Sequence, residues 1–434
     1  MKKLFFLFSC FTTVVGFSQP KLTLTDAINT ALKNSYNIQI AQYNVDISSI
    51  ANTNGFAGGL PVVTGTATDN EQITSINQKF PDPSRDTKRD NVGTNNLAVG
   101  VTGSMLLYNG LRVHATKKRL EELEQQNQQL LSVQIQNTIA SVMAKYYDIL
   151  RQQYLLRTVE RTIEVSNQKL NIIEVRKETG VANNADIFQA QLDLNANIQA
   201  RESQFLAIDQ AKADLINLIF LKPANQKIRI EDTIIVDKAV SLDSVLKHLS
   251  LNPQVIATQQ QIYINELIEK ETAAARYPSL RATTGYNLTS AKSAAGFILL
   301  NQSYGPFVGL NLSVPIYNGT IAKKNQQIAS INTLNSKLAY ENTLLNYETG
   351  TVKTYQVYSN ALNQLKTEMD NFKLSQQLLT LISQKFELGQ ATIIDVKQAQ
   401  QSFENASYRL INLTYTAKVA EVELKRLASQ LSNK

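Results

Sequence analysis

The chain has 434 residues, a formal net charge of +7, 17 glycines, 9 prolines, two histidines, one cysteine and no tryptophan. No run reaches the ~18 consecutive apolar residues that a membrane-spanning helix needs, so crossing by a helix is excluded. The excess positive charge is interleaved with acids along polar faces and forms no basic stripe among stacking aromatics, which excludes a nucleic-acid surface.

In chain order, the first element has the pattern of a secretory signal over 1–18. Lys2 and Lys3 supply the positive region, Leu4 to Phe17 the apolar region, and Gly16-Phe17-Ser18 the small-residue cleavage site before Gln19. A buried N-terminal helix is the alternative. Loss of Lys2 and Lys3 lowers the charge to +5 (7 − 2). Cys10 would leave with the signal, so the mature chain would have no thiol, disulfide or cysteine metal site. The apolar stretch before Cys10 is short for a lipid-attachment signal.

Residues 19–221 form a first repeat. Thr23-Leu24-Thr25-Asp26 is a capping box that opens a helix. The helix is expected to run to about Ala57 and stop at Gly58-Gly59-Leu60-Pro61. Two strands follow, at about 61–70 and 95–108. In the second, Leu97, Val99, Val101, Met105 and Leu107 alternate with Ala98, Gly100, Thr102, Ser104 and Leu106, the period-two pattern of a half-buried strand. The polar segment 71–94 reads as a loop between them. From Leu111 to Thr179 there is neither glycine nor proline, and apolar residues recur at threes and fours (Ile135, Ile139, Val142, Tyr146, Ile149). This predicts a helix over 111–179, ~100 Å long at 1.5 Å per residue, with an interrupted coiled-coil seam. Gly180 then turns the chain, and Asn183 with Asp186 caps a return helix over 184–221.

Residues 222–240 break the pattern, with Lys227–Ile230 and Thr233–Val236 suggesting a little strand in a small mixed belt. Residues 241–434 form the second repeat. Ser241 opens a helix that Asn252-Pro253 interrupts, where the first repeat has Asn34-Ser35. Strands at about 279–289 and 305–317 follow, with Pro315 demanding a strand end or bulge. A long helix over 320–388 contains only Gly350, and a return helix over 392–427 is capped by Thr392 and Asp395.

The two repeats keep one spacing. Tyr108-Asn109-Gly110 recurs as Tyr317-Asn318-Gly319, and Gly180…Asp186…Ala190-Gln191 as Gly389…Asp395…Ala399-Gln400, both displaced by 209 (317 − 108 and 389 − 180). Each tyrosine therefore stands 72 residues before its tip glycine (180 − 108 and 389 − 317), which means that both copies need an arm of one length.

Four strands cannot close a barrel, and an open edge in lipid leaves backbone groups without partners at several kcal/mol each. Either the strands are not in a membrane or several chains share one barrel: eight strands from two chains, twelve from three. The small and polar alternate residues (Ala98, Gly100, Thr102, Ser104, Asn311, Ser313) suit a water-filled lumen, which only the wider barrels have.

With this duplicated helix–strand–strand–long-helix order, the Tyr-Asn-Gly pair and the Gly…Asp…Ala-Gln tips, the chain resembles the TolC-type outer-membrane efflux proteins over essentially its whole mature length. The resemblance implies a mainly α chain with a transmembrane β part. It implies a homotrimer with a shared 12-stranded β-barrel in outer-membrane lipid, continued by a long periplasmic α-helical barrel. It implies a periplasmic adaptor and an inner-membrane pump as partners, and export from a tripartite efflux or type I secretion system. It places Asp395 in a carboxylate ring at the tunnel entrance and Asp186 at the contacts that hold the entrance shut. It puts adaptor docking at the tips: Gly180, Val181 and Asn183, and Gly389, Gln390 and Thr392. The family's latch arginine position is Ala391 here, and the latch tyrosine is Phe386, so the closed state must be held in another way.

The residues also admit plainer readings. Asp186 and Asp395 each sit three residues after a cap residue, where a carboxylate starts a helix and complements its dipole. Gly180 and Gly389 suit a left-handed helix end. Tyr108 and Tyr317 suit either a membrane–water interface or a packed strand end. His114 and His248 have no ligand cluster around them, and no phosphate loop, nucleophile elbow or carboxylate pair appears. No cofactor, metal or enzymatic reaction is therefore expected. A soluble periplasmic coiled-coil scaffold and a periplasmic adaptor are the rival readings. The scaffold leaves the strand pairs without purpose, and an adaptor has one hairpin where this chain has two.

Overall fold

A computed structural model describes residues 21–221, 228–294 and 298–431. The predicted signal with Cys10, and Lys227 of the predicted connector strand, lie outside the described residues.

One order of elements occurs twice. The first half is α1 (Leu24–Asn34), α2 (Tyr36–Ala51), β1 (Val62–Gln78), β2 (Thr87–Tyr108), α3 (Arg112–Glu178) and α4 (Asn184–Leu218). The second is α5 (Leu242–His248), α6 (Pro253–Ala274), β3 (Ser279–Ser293), β4 (Leu300–Ser313), α7 (Ile321–Glu387) and α8 (Ile393–Leu427). Helices α3 and α7 have 67 residues each, and α4 and α8 have 35 each. Equivalent helices start 209 residues apart (321 − 112 and 393 − 184). The fold is thus mainly α, internally duplicated, with one antiparallel sheet. Helix α7 runs unbroken through Gly350, where an added Cβ would meet nothing within 4 Å. The cost there is the propensity difference from alanine, about 1 kcal/mol.

Several boundaries differ from the sequence expectation. The opening helix does not reach Ala57. It breaks at Ser35, whose N–H donates to the Ala31 carbonyl (2.8 Å) to close α1, while its Oγ accepts from Ile38 N–H (3.4 Å) to open α2. Asn252 makes the equivalent break with ψ 127°, and Pro253 supplies the first turn of α6. The strands are longer than the apolar alternation, because β1 and β2 go on pairing through polar residues such as Asn70–Asn96 and Glu71–Asn95. Backbone hydrogen bonds do not depend on side-chain apolarity, so the predicted loop 71–94 shrinks to 79–86. It is closed by a Lys79–Asp86 ion pair at 2.7 Å. Strand β4 stops at Ser313, so Val314 to Tyr317 are not strand; Pro315 has no N–H to give a ladder. The connector segment Thr233–Val236 forms no strand. Its side chains pack on helices instead, Ile234 against the α1 cluster and Val236 against the α5 cluster. The pairing found in this region is a single parallel bridge, Lys21 to Arg229.

The chain divides into two compact units. Among the described residues, the first comprises 21–39, 132–221, 228–252 and 346–431. In its core Ala27 and Ala31 of α1, both fully buried, lie among Val142, Tyr146, Ile149, Leu215 and Ile219. The small α1 face lets that helix approach α3 and α4 closely, and the Thr23–Asp26 capping box fixes its start. A second cluster, at the hairpin ends, gathers Val165, Ile173, Leu379, Phe386, Val396 and Phe403. The second unit comprises 40–131 and 253–345 and contains the sheet, in the order β1-β2-β3-β4. Its helices meet through polar side chains. Arg119 bonds Glu271 at 2.7 Å, Lys117 bonds Asn52 at 2.7 Å and Asn52 bonds Glu124 at 2.6 Å.

Candidate functional site: the hairpin tips and the sheet

Each tip has the same construction. Gly180 has φ 78° and Gly389 φ 77°, left-handed values that glycine adopts without a Cβ penalty. Val181 N–H donates to the Arg176 carbonyl and Gln390 N–H to the Lys385 carbonyl, both at 2.8 Å, so each long helix ends in a Schellman turn. The return helices then begin with reciprocal caps. Asn183 N–H donates to Asp186 Oδ2 and Asp186 N–H to Asn183 Oδ1, both at 3.0 Å. Thr392 donates to Asp395 Oδ2 from its N–H and its hydroxyl, both at 2.8 Å, and accepts from Asp395 N–H at 3.2 Å. Those donors hold the Asp395 carboxyl below its usual pKa, the Thr392 backbone N–H first and its hydroxyl second. The local capping role of both acids is therefore built, each carboxylate accepting from its own cap residue.

The tip segments are exposed only in part. Val181, Asn183, Gln390, Thr392 and Ile394 face solvent, whereas Ala182, Ala391 and Ile393 pack onto the second core cluster. Phe188, Leu192 and Leu388 add exposed apolar surface beside them.

Near the tips three ties join the two hairpins, and the sequence reading identified none of them. Arg176 of α3 donates to the Phe386 carbonyl of α7 and stacks on its ring, 4.4 Å from the centroid. Asp193 of α4 accepts from Lys169 of α3 at 2.9 Å and from Lys397 of α8 at 3.0 Å. Gln400 of α8, buried, donates to the Thr162 carbonyl at 3.0 Å and to Ser166 Oγ at 2.8 Å on α3. A signal for one of them did exist. Lys169 stands four residues after Val165 and four before Ile173, a charged residue in an apolar seam, and such a residue needs a partner.

In the sheet, the register sorts residues by face. One face carries Val99, Val101 and Met105 of β2 beside Leu288, Tyr286 and Ala282 of β3, with Tyr304, Val308, Leu310 and Leu312 of β4 beyond. From Leu97 to Leu107 this face spans about 33 Å of strand, or roughly 25 Å of height at the ~40° tilt of membrane barrels. The other face carries Thr64, Thr66 and Thr68, then Ala98, Gly100, Thr102 and Ser104, then Asn287 and Thr289, then Ser303 and Asn311. Strands β1 and β4 are the edges, with no outer partner among the described residues. No helix among the described residues is long and apolar enough to cross a membrane.

A sheet that is apolar on one face and polar on the other, joined to twin hairpins of equal length, defines the class of outer-membrane channels with helical extensions. The outer membrane protein VceC of Vibrio cholerae has this fold: it superposes at a TM-score of 0.78 and 16% identity, over 94% of this chain and 96% of that one. The family model described as "Outer membrane efflux protein" matches residues 27–220 and 248–430, and the chain belongs to that family. Its place is accordingly the outer membrane. Among curated relatives, an uncharacterized Haemophilus influenzae protein is 29% identical over 258 residues, 58% of this chain. The chain spans about half of that relative's length (52%). Outer membrane protein TolC of Vibrio cholerae is 23% identical over 356 residues, 77% of each chain.

Proposed function

We propose that the chain is a passive export duct: a homotrimer whose twelve strands close one barrel through the outer membrane. On this reading a periplasmic adaptor and an inner-membrane pump, of a tripartite efflux or type I secretion system, supply cargo and energy. The observation that carries this reading is the sheet with two long free edges, apolar on one face and polar on the other. A free edge in lipid costs several kcal/mol per unpaired group, and pairing β1 of one copy with β4 of the next removes every edge. Exposed apolar stripes on the helices support the same assembly. Tyr36, Ile40, Tyr43, Ile47 and Ile50 line one face of α2, and Ile321, Ile328, Ile331, Leu334, Leu338 and Leu345 line α7. Their helical spacing is that of faces made for a neighbouring helix.

Adaptor docking belongs at the exposed part of the tips, at Gly180, Val181, Asn183, Gly389, Gln390 and Thr392, where apolar and amide side chains stand together. Asp395 and Asp186 supply the negative charge of the entrance. The test is conductance: the purified protein in planar bilayers should give discrete steps, and their absence under every opening condition would sink the reading. Paired cysteines scanned along β1 and β4 should give covalent trimers under oxidation. Asp395→Asn should lower the cation preference of the open channel; an unchanged preference removes Asp395 from the entrance.

A further inference from the structure

Between the helices and the bulge at Thr74–Ile76, the polar face of the sheet carries one charged side chain, and its position is informative. By the register, that face comprises Val62 to Thr74 of β1 at alternate positions, with Val92 to Leu106, Ser279 to Ala291 and Asn301 to Ser313 on the other strands. Threonine, serine, asparagine, glutamine, glycine and a few apolar residues fill every place except that of Arg281. Asp69 and Glu71 stand opposite Leu97 and Asn95 on the other face, and Lys88, Arg89 and Asp90 of β2 lie beyond the bulge, at the end of the sheet remote from the helices. Arg281 is at the helix-proximal end, seven residues after α6 ends at Ala274 (281 − 274). It is solvent-exposed, lies opposite Asn311, and reaches the neutral Ser104 hydroxyl at 3.4 Å. Among the described residues it forms no ion pair.

We propose that Arg281 is the charge-selecting residue of the barrel section. In a closed trimer, the duct reading on which this rests, three guanidiniums form a positive ring where the helical tunnel opens into the barrel, on a face that carries no other charge as far as the bulge. A ring of like charges in a narrow water-filled passage concentrates counter-ions and repels co-ions. The ring therefore admits anions preferentially and holds polyanions. Its charge is opposite to that of the tip carboxylates Asp186 and Asp395, so the two sites select for ions of opposite sign.

The experiment is the reversal potential of the reconstituted protein in a KCl gradient, with inorganic triphosphate added on the barrel side as a probe. At ~0.1 M salt, where charges act over about 10 Å, Arg281→Gln should lower the anion-to-cation permeability ratio at least about twofold; at ~1 M the difference should vanish. Triphosphate should block the unsubstituted channel and lose its block in Arg281→Gln. Arg281→Lys should retain both properties. Asn311→Asp places a carboxylate opposite each guanidinium and should reproduce the effect of Arg281→Gln with the arginine still present. Conducting channels with one ratio and one triphosphate response across all variants would overturn the role of Arg281 and leave the duct intact. An unsubstituted protein that never conducts would overturn both.

Discussion

Arg176, in the last turns of α3, gives a hydrogen bond to the backbone carbonyl of Phe386 and lays its guanidinium over that residue's ring. The two residues are 210 positions apart and belong to different hairpins. Phe386 is 2% exposed, so the contact is made against a packed side chain and a helix-end carbonyl that also accepts the Gly389 N–H at 3.1 Å. This pair ties one tip to the other.

Arg176→Ala removes a charge-assisted hydrogen bond and a cation–π contact, and should cost about 1–2 kcal/mol. Phe386→Ala also empties part of the second core cluster and should cost roughly 3–5 kcal/mol. Hydrogen exchange should quicken at the end of α7 in both variants. Unchanged exchange there in Arg176→Ala would show that the arginine ties nothing.

Asp193 should be the most sensitive polar site of the hairpins. Burial pushes its carboxyl up, yet the hydrogen bonds from Lys169 and Lys397 outweigh burial and hold it below the ordinary 3.8. A depressed folded-state value means that this stabilisation is fully present above ~pH 4. It is lost as pH falls below that and through the folded-state value. Asp193→Asn strands the Lys169 ammonium, whose side chain is 1% exposed, and should cost about 3 kcal/mol. Lys397, half exposed, should cost under about 1 kcal/mol when changed to methionine. Thermal melts from pH 3 to 7 separate the cases: Asp193→Asn should lack the acid-side loss that Lys397→Met retains.

The two strand-to-helix turns should respond unequally to one change. Gly110 and Gly319 have left-handed φ values of 68° and 65°. An alanine Cβ at Gly110 would stand 2.8 Å from Tyr277 Cβ and 3.0 Å from the Ala274 carbonyl, while at Gly319 it would meet nothing within 4 Å. Gly319→Ala should cost about 1–2 kcal/mol from the backbone alone, and Gly110→Ala clearly more. Equal losses of assembled protein in the two variants would contradict the steric argument.

The face assignment of the sheet is testable by charge. Val101→Lys and Val308→Lys place an ammonium on the apolar face, at roughly 2–4 kcal/mol each near the bilayer centre. Thr102→Lys, one residue away on the polar face, should leave the yield of heat-resistant oligomer unchanged. The reverse ranking would mean that the apolar face does not meet lipid.

The sequence alone determined the duplication, the equal helices and the chain reversals. Each depends on local chemistry that a residue carries with it: absence of glycine and proline over a long stretch, a glycine at a left-handed helix end, an oxygen-bearing cap three residues before an aspartate. The alternating face of β2 was legible for the same reason. Only the tertiary structure decided how far the strands run, because polar residues such as Asn95 and Glu71 extend a ladder through backbone bonds that no side-chain pattern records. It also decided which hairpin residues meet. Arg176 with Phe386, and Asp193 with Lys169 and Lys397, are pairings across two and three helices that break the 209-residue symmetry of the chain. Arg281 reads in the sequence as one arginine among many. Its position as the one charge on that face between the helices and the bulge exists only once four strands are laid side by side in register.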